Sequence, residues 1–388
     1  MNLLLIAQSA RMLAQSAARG GFRCCAIDFF ADSDTRRYAG QCIPMMPGAD
    51  GFDEAALLAT VEDLAFSDKE FSVIFGSGID TRPMLVEKLA EKRKLLGNIP
   101  ATLNKFNHPQ DFFGLLEQLG IPYPETRFVP PDHAKGWLIK PGCSEGGKGV
   151  VFCANNPQSA NGAYYQRLTQ GDAYSLLFLS NGKENRTIGF NTQWTAKHEP
   201  AQPFLFAGAI NRTDLTELQR SAVEEYATKL TAASGLVGLN SLDFVLSGGV
   251  CQVLEVNPRP SATMALYDED FTQGLLALHI AACRGELPPP VSHNGPVRAL
   301  WIVYSQSAAL IAVDFHWPEE CADIPNPGAK IEAGQPLCSL LVRGENRQEA
   351  EKLVKLLEEE ILCGLFGYPH PNPLPRGEGM NNNSLIRE

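Results

Sequence analysis

The chain has 388 residues, 44% of them hydrophobic and 20% charged, enough to bury cores in more than one domain. Its net charge of −11, with an isoelectric point near 5.2 and no Lys/Arg cluster, argues against nucleic acid or an anionic membrane surface as partner. Ten cysteines without C-x-x-C or zinc-type spacing and seven scattered histidines argue against disulfide frameworks, zinc centres and histidine-based triads.

The cysteines are expected to be reduced and buried. The N-terminus has only a short apolar run, 3–7, with no basic segment before it, and no stretch approaches the roughly 20 apolar residues of a membrane span. The expected location is the cytoplasm.

In chain order, 2–7 reads as a buried strand, 9–19 as a helix ended by Gly20-Gly21, and 23–29 as a second strand, a β-α-β start. Dinucleotide binding would need glycines after the first strand, and Gln8-Ser9-Ala10-Arg11 stands there instead. Asp28 is then a strand-end carboxylate available to substrate. The strand 71–75, Gly76-Ser77-Gly78 and a helix over 81–95 complete an N-terminal domain near Gly97.

A helix over 109–119 precedes WLIKPGCSEGGKGV, residues 137–150: an apolar strand ending in Lys140, a glycine-rich loop, and a further strand-like run. Gly146, Gly147 and Gly149 allow backbone N–H groups close to an anion, and Lys140 offers a point charge for phosphate oxygens. The loop mimics the G-x-x-x-x-G-K spacing of a P-loop. However, Gly149 occupies the place of the metal-binding Ser or Thr, and a strand follows where a P-loop needs a helix. Taken alone, the segment is equally a glycine-rich hairpin with a solvated lysine.

Further on, a helix over 215–234 leads to a strand over 241–246 carrying Asp243, and after Ser247-Gly248-Gly249 to the strand 250–257. Period-two alternation points Glu255 and Asn257 to one face, and Pro258 ends the strand. A three-residue loop puts Asp243 opposite Val253 and on that same face, whereas a two-residue loop turns it away. On one face, Asp243, Glu255 and Asn257 are three hard oxygen ligands of the kind that bind Mg²⁺ on nucleotide phosphates. The alternative is a strand-end ion pair between Glu255 and Arg259.

The prolines 288–290 mark a boundary, after which 297–304 and 308–315 read as paired strands, 336–343 as another, and 346–362 as an amphipathic helix. Residues 367–388, with PHPNPLPRGEG and three consecutive asparagines, have too little apolar surface to fold and are expected to be a disordered tail.

Together, WLIKPGCSEGGKGV and LEVNPRP resemble the ATP-grasp superfamily of ATP-dependent ligases, over about 2–290. The resemblance implies an α/β and α+β chain with a Rossmann-like N-terminal domain (1–97), two ATP-grasp subdomains (98–172 and 173–290) and a small C-terminal α+β domain (291–366). In related ligases such a domain caps the active site or a dimer interface, so a homodimer is the expected assembly.

ATP and Mg²⁺ or Mn²⁺ are the implied cofactors. Lys140, Gly146, Gly147 and Gly149 would cover the triphosphate, and Asp243 with Glu255 and Asn257 of E-x-N-P-R would hold the metal. Arg259 and Arg212 would join Lys140 in catalysis, with Arg259 gripping a substrate carboxylate. Lys105 would be an earlier phosphate-contacting lysine, and Gln166, Arg167 and Leu168 the hinge that receives adenine through backbone groups. Asp172, beside Ala173 where many relatives carry a glutamate, would take the ribose.

The implied reaction joins a carboxylate, such as glutamate or another amino acid, to an amine through an acyl phosphate. A narrower likeness to tyramine–glutamate ligases rests on general layout alone. A bicarbonate-using carboxylase and a non-catalytic nucleotide sensor are the alternatives, the latter favoured by Ala173 and opposed by the intact Asp-Glu-Asn set.

Overall fold

The opening run NLLLI is apolar at every position from Leu3 to Ile6, the pattern of a parallel strand covered on both faces. In the computed structural model, which describes residues 1–48, 51–67, 71–153, 162–196, 202–290 and 295–367, Asn2–Ile6 is the central strand of a parallel sheet. The order is Gln41–Pro44, Arg23–Asp28, Asn2–Ile6, Phe71–Phe75, Lys94–Leu95. On one side the helix Arg11–Arg19 buries Leu13, Ala14 and Ala17 against Leu275, Leu276 and Ile280 of the helix Gly274–Ala282. On the other, the helix Glu54–Ser67, which was not read from the sequence, buries Leu57, Val61 and Leu64 against Leu4 and Ile6. All but Gly367 of the expected tail lies outside the described residues.

A long antiparallel sheet forms the body of the rest: Val250–Asn257, Val237–Ser247, Asp172–Asn181, Asn185–Thr195, Phe206–Ile210, Val297–Tyr304, Pro336–Gly344 and Cys321–Ala322. Alternation divides its faces. Leu177, Leu179 and Leu239 pack toward the N-terminal domain, while Leu176, Phe178, Leu242 and Phe244 pack under the helix Glu217–Ser234 through Val223, Ala227 and Leu230. That helix begins with a Thr216/Gln219 capping box and ends at Gly235 in the left-handed conformation.

The C-terminal strands do not pair with each other as expected. Val297–Tyr304 lies between Phe206–Ile210 and Pro336–Gly344, extending the long sheet, and only Ala309–Leu310 of the expected second strand forms, against Lys330–Ile331. The reason is burial: Val297, Ala299 and Val303 find an apolar partner in Leu340, Val342 and the helix Arg347–Phe366, which 308–315 with its Asp314 and exposed Val313 cannot supply. A separate four-stranded sheet, Thr126–Arg127, Ala163–Arg167, Trp137–Pro141 and Val151–Phe152, carries the glycine-rich loop and is called the lid sheet below. Cys24, Cys25, Cys251 and Cys338 are buried free thiols, whereas Cys143, on the glycine-rich loop, is exposed. No helix among the described residues is long and apolar enough to cross a membrane.

Asp28 is not open to substrate. It is fully buried and accepts from the N–H groups of Ala10 (3.0 Å) and Ala31 (2.6 Å), fastening two loops at the strand ends. Beside it, Asp34 accepts from the N–H groups of Asp323 and Ile324, and Arg11 donates to Asp323, tying the C-terminal segment to the N-terminal domain.

Burial, reinforced by Asp323, Asp28 and Asp34, pushes the Asp32 carboxyl from 3.8 to about 8. Through that window the folded protein holds a proton that the unfolded chain has lost, so this group makes stability fall as pH rises, until both states are ionised. Asp32→Asn is therefore expected to gain melting temperature relative to the parent between pH 5 and pH 8.5. A difference that does not change with pH, followed by calorimetry, would contradict the assignment.

Candidate active site

The hairpin turn is shorter than an Asp243 on the metal face seemed to require. Ser247 pairs with Val250 across Gly248-Gly249, whose φ values of +56° and +84° suit a tight primed turn. Strict alternation from that turn would set Asp243 against Leu254 and point it away. A β-bulge corrects this: Phe244 pairs with Val253 and Asp243 with Glu255, leaving Leu254 as the extra residue. Asp243 and Glu255 thus face each other on one side of the sheet, with Asn257 opposite Ser241 one step along.

The Asn257 amide donates to Asp243 Oδ2 (3.4 Å) and Glu255 Oε1 (3.3 Å). Burial and then the Glu255 carboxylate push the Asp243 carboxyl well above the ordinary range, and its Oδ1 is buried with no hydrogen-bond partner. Such a pair suits a cation. No group of three or more His, Cys, Asp or Glu side chains among the described residues could hold a metal ion. Two carboxylates and an amide nevertheless fit Mg²⁺, which takes one or two carboxylates and completes its octahedron with water and phosphate oxygens. Turning the Asn257 amide would present its oxygen to the ion.

Lys140 meets these carboxylates from the lid sheet. Its ammonium donates to Gln166 Oε1 (3.1 Å) and lies 5.6 Å from the centroid of the Tyr164 ring. Burial works against its charge, but Tyr164, Glu255 and Asp243 outweigh burial and raise its pKa. Tyr164 was not singled out in the sequence, and Gln166 was expected to face adenine through its backbone instead of Lys140 through its side chain. The signal available was alternation along Ala163–Arg167, with Tyr164 directly opposite Lys140.

The glycine-rich loop is seated on the long sheet, where Gly146 O accepts from Phe206 N (2.8 Å). At Gly147 (φ +74°) a Cβ would lie 1.9 Å from Phe204 O, so only glycine allows this approach. On the expectation that this loop covers a triphosphate, Gly147→Ala should lower ATP affinity at least about tenfold through an unseated loop, with little change in melting temperature. Calorimetric ATP binding close to that of the parent would contradict it.

Arg259, 8% exposed, does not pair with Glu255. Its Nε donates to Asp80 Oδ2 (3.0 Å), Nη2 to Asn257 Oδ1 (3.1 Å) and Nη1 to Pro260 O (3.4 Å), so the Nε–Nη2 edge is not free to fork a substrate carboxylate. Asp80 was missed. The clue was an acid just beyond the end of the parallel strand Phe71–Phe75, where open α/β sheets bind ligands.

Other expected positions fall elsewhere. Lys105 is exposed and donates to Ala233 O (2.9 Å), near the end of the helix covering the sheet face opposite Asp243. Arg212 is spent on the carbonyls of Asn211 and Gly295. The N–H groups of Arg167 and Leu168 donate to Glu125 and Gly136 carbonyls, so neither is available to adenine, and the Gln166 side chain serves Lys140. Asp172 pairs with Leu246 and is an odd number of residues from Ser175, the partner of Asp243. Alternation therefore turns it to the opposite face.

The family model described as an ATP-grasp domain matches residues 110–263. An uncharacterized protein of Methanocaldococcus jannaschii is 22% identical over 358 residues, 88% of each chain. Among solved structures, a biotin carboxylase from Campylobacter jejuni superposes with a TM-score of 0.69 at 14% identity, covering 93% of this chain and 91% of that one. An L-amino acid ligase from Bacillus licheniformis does so with 0.69 at 17%, covering 92% and 97%. N5-carboxyaminoimidazole ribonucleotide synthetase from Thermotoga maritima gives 0.64 at 17%, covering 91% and 97%.

Proposed function

We propose, for this member of the ATP-grasp superfamily, an ATP-dependent ligation in which a carboxylate is phosphorylated by the γ-phosphate and the acyl phosphate is then captured by an amine. The observation that carries the reading is the convergence of Lys140 from the lid sheet on Asp243, Glu255 and Asn257 of the long sheet, about a hundred residues away in sequence. Lys140 would bind phosphate oxygens. Asp243, Glu255 and Asn257 would hold Mg²⁺ or Mn²⁺, which when bound offsets the charge on the transferred group. With the ion bound, the Asn257 amide would turn its oxygen from Arg259 Nη2 to the metal, and the seated loop would keep water from the acyl phosphate. No protein nucleophile is required.

The substrates are small molecules, with glutamate or another amino acid supplying the carboxylate. A coupled ADP-release screen with Mg²⁺, across amino acids with and without primary amines, tests this. ADP release that needs both a carboxylate and an amine is the expected result. Release with bicarbonate and one acceptor, but no other carboxylate, would replace the reading with a carboxylase, a class also found on this fold. ATP binding with no release under any condition would replace it with a nucleotide sensor.

A further inference from the structure

Two buried carboxyl groups outside the metal site are joined across domains. Glu145, within the glycine-rich loop, accepts through Oε1 from Gly78 N (2.7 Å) of the N-terminal domain. Asp80, 3% exposed, accepts through Oδ2 from Arg259 Nε (3.0 Å). That leaves Glu145 Oε2 and Asp80 Oδ1, both buried and both without a donor. The two carboxyl groups interact directly, which favours the protonated form of Glu145. Burial and then Asp80 push the Glu145 carboxyl from 4.5 to about 8, against Arg259 and the Gly78 N–H. Two buried carboxyl groups with undonated oxygens offer acceptors and charge to a cation.

Mg²⁺ is a poor candidate for it, because the Arg259 guanidinium paired with Asp80 already supplies positive charge there and repels a divalent ion. A primary ammonium needs few acceptors and brings its own donors. The location also suits a nucleophile. Arg259 bridges Asp80 to Asn257, so the pair lies one side chain from the metal and phosphate groups, under the loop that covers them.

We infer that Asp80 and Glu145 form the subsite for the ammonium group of the amine substrate, and that Glu145 takes the proton that must leave before the nitrogen attacks. The inference rests on the ligase reading above. R–NH3⁺ gives one proton to the Glu145 carboxylate, and the freed lone pair forms the C–N bond at the acyl carbon. The C–O bond to phosphate breaks with its electrons going to phosphate, which also accepts the second proton from nitrogen. The charged groups facing Glu145 are Asp80 and Arg259, and Arg259 in turn faces Glu255.

The test compares two nucleophiles on the same acyl phosphate. Hydroxylamine, uncharged at neutral pH, needs neither an ammonium site nor a base, whereas a primary amine needs both. With ATP, Mg²⁺ and the amino-acid panel, Glu145→Gln should lower amide formation from primary amines at least about a hundredfold and raise KM for the amine. Hydroxamate formation should stay within about threefold of the parent. Asp80→Asn should shift the same ratio in the same direction. In the unaltered enzyme the amide-to-hydroxamate ratio should climb with pH and level off near 8, a readout that needs no variant. Equal loss of both products in Glu145→Gln, full retention of amide formation, or a ratio that ignores pH would overturn the inference and leave the ligase reading standing. Absence of hydroxamate from the unaltered enzyme with every carboxylate would overturn both.

Discussion

Asp243→Asn and Glu255→Gln are each expected to cut the rate of ADP release at least about a hundredfold without disturbing the fold. Each removes one of two charges that face each other across the bulged hairpin, so each leaves a divalent ion with a single carboxylate. The fold should tolerate the change because the pair is costly without a cation: burial and Glu255 already hold the Asp243 carboxyl well above its ordinary range. In the absence of metal, both variants should melt at or above the parent temperature, and Mg²⁺ with ATP should stabilise only the parent. Full Mg²⁺-dependent turnover in both variants would sink the metal assignment.

Lys140→Ala is expected to weaken ATP binding by about ten- to a hundredfold, the value of a hydrogen bond between charged partners. Its ammonium is held by Gln166 and Tyr164 and drawn toward Glu255 and Asp243, so its loss also leaves those carboxylates less compensated. Asp28→Asn serves as the contrast. Asp28 clamps the Ala10 and Ala31 N–H groups far from the lid sheet in sequence, and its variant should lose melting temperature while keeping ATP affinity. Equal loss of ATP affinity in both variants, measured by calorimetry, would return the nucleotide to the N-terminal domain.

What could be read from the sequence depended on how local its cause was. The strand Asn2–Ile6 was legible because a strand covered on both faces is apolar throughout, and the helix Glu217–Ser234 because a cap and a left-handed glycine bracket it. The face of Asp243 was not legible, since a two-residue turn and a bulge four residues away have opposite effects and only their combination aligns it with Glu255. Asp80, Glu145 and Tyr164 draw their importance from partners on other elements, Arg259 and Lys140, which no spacing reports. A place near a motif also says nothing about which face of a helix or strand a side chain occupies: Lys105 meets the helix on the sheet face opposite Asp243, and Asp172 turns to that opposite face as well.

If Lys140 and the Asp243–Glu255–Asn257 set form one nucleotide and metal site, ATP affinity must depend on Mg²⁺. Calorimetric titration of the parent should show Mg²⁺ tightening ATP binding by at least about tenfold, while in the Asp243→Asn, Glu255→Gln double variant Mg²⁺ should make no difference. An affinity in the parent that ignores Mg²⁺, or the same tightening in the double variant, would place the metal and the nucleotide elsewhere.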